Sequence, residues 1–126
     1  MVLIHATRNI PAALDSVWSV IADIDREPEF WHGTKSIKNI SKTGNIIERE
    51  VVIAFRNSIC REIVQLDVKK SIKVEILEGP IKGKKTIALN TIENNITRID
   101  VEWDIKIDGL FGIFTGMIKK AYFERN

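Results

Sequence analysis

The apolar positions follow a helical period near the N-terminus, a strand period through the centre and a helical period again at the end. After a first strand at 2–8 and a break at Pro11, apolar residues recur at helical spacing up to Asp23. The segment 25–31 predicts a second, short helix, for which Asp25 is a candidate N-cap. The N-terminal region therefore predicts the order strand, helix, helix.

Apolar and polar residues alternate from Lys35 to Ile107, which predicts six consecutive antiparallel strands. The last strand is the clearest, because every second residue is apolar and the others are polar or charged, so that it has one dry and one wet face. After Gly109 the helical period returns, and it predicts a final amphipathic helix that ends at Asn126. The six strands are predicted at 35–42, 45–56, 59–67, 72–78, 84–92 and 96–107.

A seven-stranded antiparallel sheet with one apolar face has to cover that face with helices. A final helix of roughly 15 residues is about 10 Å wide, whereas seven strands spaced about 4.8 Å apart span about 30 Å. A strongly curved sheet that wraps around the helix solves this mismatch and leaves a space between the two. The pattern therefore predicts an α+β fold with a cavity, in a single domain over 1–126.

The turns between strands predict how the strands pair. A turn at 93–95 places Lys85 beside Trp103, and pairing Leu66 with Ile72 carries the inward face on to Glu78. A two-residue turn at Asn57-Ser58 pairs Phe55 with Cys60, Ile53 with Glu62 and Val51 with Val64. The last register places the apolar residues Val51, Ile53, Phe55 and Val64 on one face of the sheet.

Four charged residues fall on the inward rows: Arg49, Glu62, Glu78 and Lys85. Glu62 and Glu78 are candidates for an acid and a base, because burial raises the pKa of a carboxyl group. The alternative is that both are solvated, or paired with Lys85, since an unpaired buried charge is costly. Arg49, several rows away, is a candidate for binding an anionic head group or is a strand-end arginine. His32, where the second helix meets the sheet, is a third catalytic candidate.

The stretch EGPIKGKK, from Glu78 to Lys85, is not a phosphate-binding loop, because it lacks the required spacing and leads into a strand. We interpret it as a corner on the rim of the cavity. The ligand-binding residues are predicted on the inward rows of the sheet, at the second helix and on the last helix. They are Trp31, Arg49, Val51, Ile53, Phe55, Val64, Val74, Ile76, Lys85, Ile87, Leu89, Val101, Trp103, Phe111, Phe114, Met117 and Ile118.

Three phrases of the sequence resemble the START/Bet v1-like (SRPBCC) superfamily, whose fold is the helix-grip fold. They are IPAALDSVWSVIADIDREPEFW, EGPIKGKK and GLFGIFTGMIKKA, and they are most similar to the polyketide cyclase/dehydrase and coenzyme Q-binding branch. The resemblance implies binding or transport of a small hydrophobic ligand such as a lipid, an isoprenoid quinone or a polyketide-like molecule. It leaves two alternatives open: a cyclase or dehydratase that uses the inward carboxylates, and a protein-interaction module.

Composition and charge exclude several classes of binding partner. The net charge of +2 argues against nucleic acid, and one cysteine, Cys60, is typical of a reducing cytoplasm. No apolar run reaches the length of about 20 residues that spans a bilayer, so no stable membrane insertion is expected. With two histidines and one cysteine, no metal site or cofactor is predicted. The final helix is short for the family, which implies an open groove, or a homodimer or protein partner that covers it.

Overall fold

The computed structural model describes residues 2–30 and 32–107 of the chain. The predicted final helix lies outside the described residues. So do five predicted ligand-binding residues, Trp31, Phe111, Phe114, Met117 and Ile118.

The described residues form one antiparallel sheet of seven strands in the order β1-β7-β6-β5-β4-β3-β2, with two helices inserted between β1 and β2. This confirms the predicted curved-sheet fold. Two 3-10 turns, Ile24–Arg26 and Phe55–Asn57, precede α2 and β4. The elements are β1 Val2–Ile10, α1 Leu14–Ile21, α2 Glu27–Phe30, β2 Thr34–Thr43, β3 Ile46–Ile53, β4 Ile59–Asp67, β5 Ser71–Glu78, β6 Ile81–Glu93 and β7 Ile96–Ile107.

The core lies on one face of the sheet, because side chains on the central strands alternate between buried and accessible. In β3, for example, every second residue from Ile47 to Ile53 is buried. The helices cover part of this face: α1 packs near β6 and β7, and Val17 is its buried residue. No helix within 2–30 or 32–107 is long and apolar enough to cross a membrane.

The predicted register of β3 and β4 is wrong. Val51 lies opposite Cys60, not opposite Val64, and Arg49 lies opposite Glu62. The connection is longer than the two-residue turn that we predicted, since Ile53 already hydrogen-bonds to Ser58 and the 3-10 turn lies between them. The shift is four residues, an even number, so each side chain stays on its predicted face while its cross-strand neighbour changes.

The other two predicted registers are confirmed. Leu66 lies opposite Ile72, and Lys85 lies opposite Trp103. A bulge between Arg61 and Glu62 interrupts the pairing of β4 with β5, however, and Glu78 lies opposite Arg61 with its side chain exposed. The prediction that Glu78 faces the cavity is therefore wrong.

Gly83 allows β6 to approach β7 closely. Its φ is +134°, and a Cβ atom there would lie 2.2 Å from the carbonyl oxygen of Asp104. Only glycine accommodates both this backbone conformation and this contact. Gly83 itself lies within β6. The corner that we predicted in EGPIKGKK is made by Gly79 and Pro80, just before this strand.

Candidate ligand-binding cavity

A cavity of about 440 Å³ lies between the helical segment and the inward face of the sheet. Its size is typical of small-molecule sites, which range from about 300 to 1,000 Å³. The helices, the first 3-10 turn and strands β1, β3, β4, β5 and β6 all contribute to it. The lining residues are Arg8, Ile10, Val20, Ile21, Asp23, Ile24, Glu27, Phe30, Arg49, Val64, Ile72, Val74, Lys85 and Ile87.

The sheet side of the cavity is aliphatic. Val64, Ile72, Val74 and Ile87 are all buried, and they come from three adjacent strands. They face the cavity because alternate residues of a strand lie on the same face of the sheet. This wall offers a ligand apolar contact without competing hydrogen-bonding groups.

The helical side forms the opening. Val20 and Phe30 line the cavity yet have 51% and 45% of their surface exposed. Arg8 and Asp23, which also line it, are exposed as well. Among the described residues, the end of α1 and α2 therefore form the more exposed side of the cavity.

A cluster of four charged residues, Arg49, Glu62, Glu27 and Lys85, lies at the inner end of the cavity, and we call it the inner cluster. Arg49 is completely buried. Its Nε donates to Oε1 of Glu62 at 3.0 Å, and its Nη2 donates to Oε1 of Glu27 at 2.9 Å. Its Nη1 donates to the carbonyl oxygen of Ile24 at 3.3 Å. The guanidinium thus joins the sheet to the segment that begins α2.

The remaining contacts of the inner cluster hold Glu27 and Lys85 in place. The hydroxyl of Thr34 donates to Oε2 of Glu27 at 2.6 Å. Nζ of Lys85 lies 3.9 Å from Oε1 of Glu27 and 5.0 Å from the centre of the Trp103 ring. Lys85 therefore lies between the carboxylate of Glu27 and the face of the Trp103 ring, both of which attract its ammonium group.

The two carboxyl groups that accept hydrogen bonds from Arg49, those of Glu27 and Glu62, have pKa values shifted in opposite directions. Burial disfavours ionisation of Glu27, but Lys85 and Arg49, with hydrogen bonds from Thr34 and Arg49, lower its pKa to about 2. Burial raises the pKa of Glu62, and here the attraction of Arg49 and Lys85 does not compensate. Glu27 is therefore a permanent anion near neutral pH, whereas Glu62 binds a proton more readily than an ordinary glutamate.

Five of the predicted ligand-binding residues line the cavity: Arg49, Val64, Val74, Lys85 and Ile87. Seven others are buried in the core of the same sheet face but are not among the lining residues. They are Val51, Ile53, Phe55, Ile76, Leu89, Val101 and Trp103.

The three catalytic candidates are not brought together, and none of them is among the lining residues. Glu62 is buried and accepts a hydrogen bond from Arg49, whereas Glu78 and His32 are exposed. Arg49 is not an exposed strand-end residue, and it lies directly beside Glu62, so the prediction that it lies several rows away is wrong. Within the described ranges, no group of three or more histidine, cysteine, aspartate and glutamate side chains could hold a metal ion.

Glu27 and the other helical residues of the cavity are not among the residues predicted from the sequence. Ile24, Glu27 and Phe30 are three residues apart and all line the cavity. This spacing places residues on one side of a helical turn, and it could have identified them. The charged neighbours Asp25, Arg26 and Glu29 conceal the signal, because they make the segment resemble a solvated surface.

The family model for polyketide cyclase / dehydrase and lipid transport matches residues 1–126 of the chain. A similar solved structure is the Zhui aromatase/cyclase from Streptomyces sp. R1128, with 16% identity and a TM-score of 0.76 over 98% of this chain and 84% of that one. A START superfamily protein from Mycobacterium smegmatis has 12% identity and a TM-score of 0.71, over 94% and 87%. At these identities the two structures show the fold alone, which agrees with the superfamily resemblance. No curated protein sequence matches the chain significantly.

Proposed function

The chain belongs to the polyketide cyclase / dehydrase and lipid transport family, and we propose that it binds or transports a small hydrophobic ligand in its cavity. The family supports ligand binding or cyclase-type function. The observation that carries the proposal is a cavity of about 440 Å³ with a buried aliphatic wall and an exposed opening.

The wall provides the driving force for binding. Removing apolar surface from water contributes about 25 cal/mol per Å², and part of this offsets the lost freedom of the ligand. For a probe the size of a substituted naphthalene we expect a Kd on the order of 10 µM. A lipid, an isoprenoid quinone and a polyketide-like molecule all have an apolar body suited to such a wall.

The positions of the catalytic candidates favour binding over catalysis. Glu62 is engaged by Arg49, and both His32 and Glu78 are exposed to solvent. A general acid or base has to come within hydrogen-bonding reach of the substrate. Cyclase-type turnover would need one of these groups in contact with the bound molecule. The protein-interaction alternative concerned either the last helix, which lies outside the described residues, or an edge of the sheet, which β1 and β2 form.

Equilibrium dialysis against 2-ethylnaphthalene tests the proposal. We expect saturable binding of one molecule per chain, which disappears when the protein is unfolded in urea. Binding that does not saturate, or that persists in urea, would indicate non-specific partition onto exposed apolar side chains. That outcome, or no binding at all, would overturn the proposal.

A further inference from the structure

Arg8 is a cation on the inward face of the edge strand β1. Residues that lie opposite each other on neighbouring strands share a face of the sheet, and Arg8 lies opposite Ile99, which packs against the core. The other residues of this inward row of β1 are apolar, namely Ile4, Ala6 and Ile10. Arg8 also lines the cavity and is exposed. The side chain therefore places a hydrated positive charge at the cavity surface.

The described residues supply no counter-charge to Arg8. Within 2–30 and 32–107 its guanidinium forms neither an ion pair nor a hydrogen bond, unlike that of Arg49. Asp23 is the other exposed charged residue of the lining, and it does not pair with Arg8. A guanidinium presents its N–H donors as a planar fork, which matches the oxygens of a carboxylate or a phosphate. Arg8 can therefore bind an oxyanion without first breaking a contact with another described residue.

The strand register places Arg8 far from the inner cluster. Lys85 lies opposite Trp103, which in turn lies opposite Ile4, and Arg8 is four residues further along β1. Four residues of a strand span roughly 13 Å. Ile87, which belongs to the aliphatic wall, lies between the two levels, because it is two residues from Lys85 in the direction of Arg8. The cavity thus has a charged group at each end and apolar surface between them.

The inner end of the cavity does not suit an ionised head group. The inner cluster is buried and contains two cations and two carboxylates, joined in ion pairs. An ionised group placed beside it would add a buried charge to a cluster that is already neutral, which is costly. The same group beside Arg8 would meet an unpaired cation and stay in contact with water. The two ends therefore differ in the head group that they accept.

We propose that the ligand is an amphipathic molecule with a terminal oxyanion, and that it binds with its apolar chain on the aliphatic wall and its oxyanion at Arg8. This inference depends on the proposed function, because it names the head group of the hydrophobic ligand and its orientation. A carboxylate and a phosphate share the required chemistry. Asp23 opposes an anion at the exposed side, so the guanidinium of Arg8 determines the sign of the preferred head group.

Decanoate and decylammonium test the sign of the head group, because they share one alkyl chain and have opposite charges at pH 7. Both are measured by equilibrium dialysis at low ionic strength and below the concentrations at which they form micelles. We expect decanoate to bind the wild-type protein about fivefold more tightly, as for an exposed ion pair. Tighter binding of decylammonium would overturn the inference and assign the head-group site to Asp23.

Substitutions at Arg8 test whether this residue causes the preference. We expect Arg8→Gln to lower the ratio of decanoate affinity to decylammonium affinity about fivefold, and Arg8→Lys to keep a larger part of it. Arg98→Gln is the matched control, because it removes the same charge from the neighbouring strand on the outer face of the sheet, and it should change the ratio little. An unchanged ratio in Arg8→Gln would overturn the inference and leave Arg8 as an inward charge that protects an edge strand from pairing.

The pKa of bound decanoic acid tests the orientation in the wild-type protein, so the result does not depend on any variant. Carbon NMR of a carboxyl-labelled sample follows the titration. A carboxylate beside Arg8 and in contact with water should have a pKa at or below that of the free acid, because a nearby cation favours the charged form. A raised pKa would show that the carboxyl group is buried, and it would overturn the inference.

Two further probes separate the source of the oxyanion and the possible failures. Tighter binding of decyl phosphate than of decanoate would support an oxyanion at Arg8 and identify a phosphate head group, and the reverse would identify a carboxylate. Failure of both 2-ethylnaphthalene and 1-decanol to bind would contradict the proposed function. Binding of these neutral probes without a preference for decanoate over decylammonium would contradict only the present inference.

Discussion

Arg49 and Glu62 lie directly opposite each other on β3 and β4, both buried, with Nε of Arg49 3.0 Å from Oε1 of Glu62. The same guanidinium bonds to Glu27 and to the carbonyl oxygen of Ile24. It therefore connects two neighbouring strands to the segment that forms the helical side of the cavity.

Replacement of Arg49 by methionine should be strongly destabilising. The substitution leaves Glu27 and Glu62 buried without the cation between them, and breaking a buried ion pair costs about 3–5 kcal/mol. The free energy of unfolding, from urea titration at pH 7, measures the loss. Arg61→Met is the matched control, because Arg61 pairs with Glu48 on the same two strands but is partly exposed. We expect that control to lose about 1 kcal/mol or less, and equal losses in the two variants would refute the assigned role of Arg49.

Glu27→Gln should destabilise the protein at neutral pH and much less in acid. The pKa of Glu27 is lowered to about 2, compared with about 4.3 in an unfolded chain. A lowered pKa contributes stability that is present above pH 4.3 and is lost as the pH falls towards 2. The contribution at pH 7 is about 3 kcal/mol. Urea titrations of wild type and variant at pH 7 and pH 3 check this, and an equal difference at both pH values would contradict it.

Glu62→Gln should show the opposite pH dependence. The pKa of Glu62 is raised, first by burial, so its contribution to stability is present below its unfolded pKa and is lost as the pH rises through the folded value. Glutamine mimics the protonated form, so the variant should be more stable relative to wild type at pH 7 than at pH 3. Urea titrations of wild type and Glu62→Gln at pH 7 and pH 3 measure this difference in the free energy of unfolding. A variant that loses more stability at pH 7 than at pH 3 would contradict the raised pKa of Glu62.

Val74→Phe should abolish ligand binding without unfolding the protein. Val74 lines the cavity, so the larger ring enters existing space and should cost about 1 kcal/mol or less. Val51 is also a buried valine on the same sheet face but does not line the cavity. Val51→Phe should therefore overpack the core and cost about 1–3 kcal/mol. Dialysis with 2-ethylnaphthalene and urea titration test both variants, and undiminished binding by Val74→Phe would argue against this cavity as the site.

Gly83→Ala should be more destabilising than Gly44→Ala. Both glycines have positive φ, but an added Cβ at Gly83 meets the backbone of Asp104 and Ile105, whereas at Gly44 it meets nothing within 4 Å. Gly44→Ala then carries only the conformational cost, about 1–2 kcal/mol, and Gly83→Ala adds a displacement of β7. The midpoints of thermal unfolding of the two variants test this prediction. Equal midpoints would mean that β6 and β7 move apart without an energetic cost.

The sheet could be predicted because it obeys a period of two, and the register of Lys85 with Trp103 followed from the turn before β7. The register of β3 with β4 could not be predicted from the sequence. Its 3-10 turn contains two residues with positive φ, Arg56 and Asn57, and neither is a glycine that would have marked the turn. The bulge beside Glu62 likewise has no clear signal in the sequence, and it is the bulge that turns Glu78 outwards.

The charged side of the cavity was predicted only in part, for a physical reason. Arg49 and Lys85 were placed on the inward face by the alternation of the strands. Their partner Glu27 comes from a helical segment far from them in sequence, and a charged residue there is usually solvated. Its burial depends on tertiary contacts with Arg49, Lys85 and Thr34, which no local pattern encodes.

The most direct test of the proposed function is a methyl NMR titration of isotope-labelled protein with 2-ethylnaphthalene. We expect saturable shifts of the methyl groups that line the cavity, those of Val64, Ile72, Val74 and Ile87. The buried methyl groups of Val51 and Ile53, which do not line it, should shift much less. No saturable shift, or shifts confined to exposed residues such as Leu3 and Ile59, would contradict the claim that this cavity binds a hydrophobic ligand.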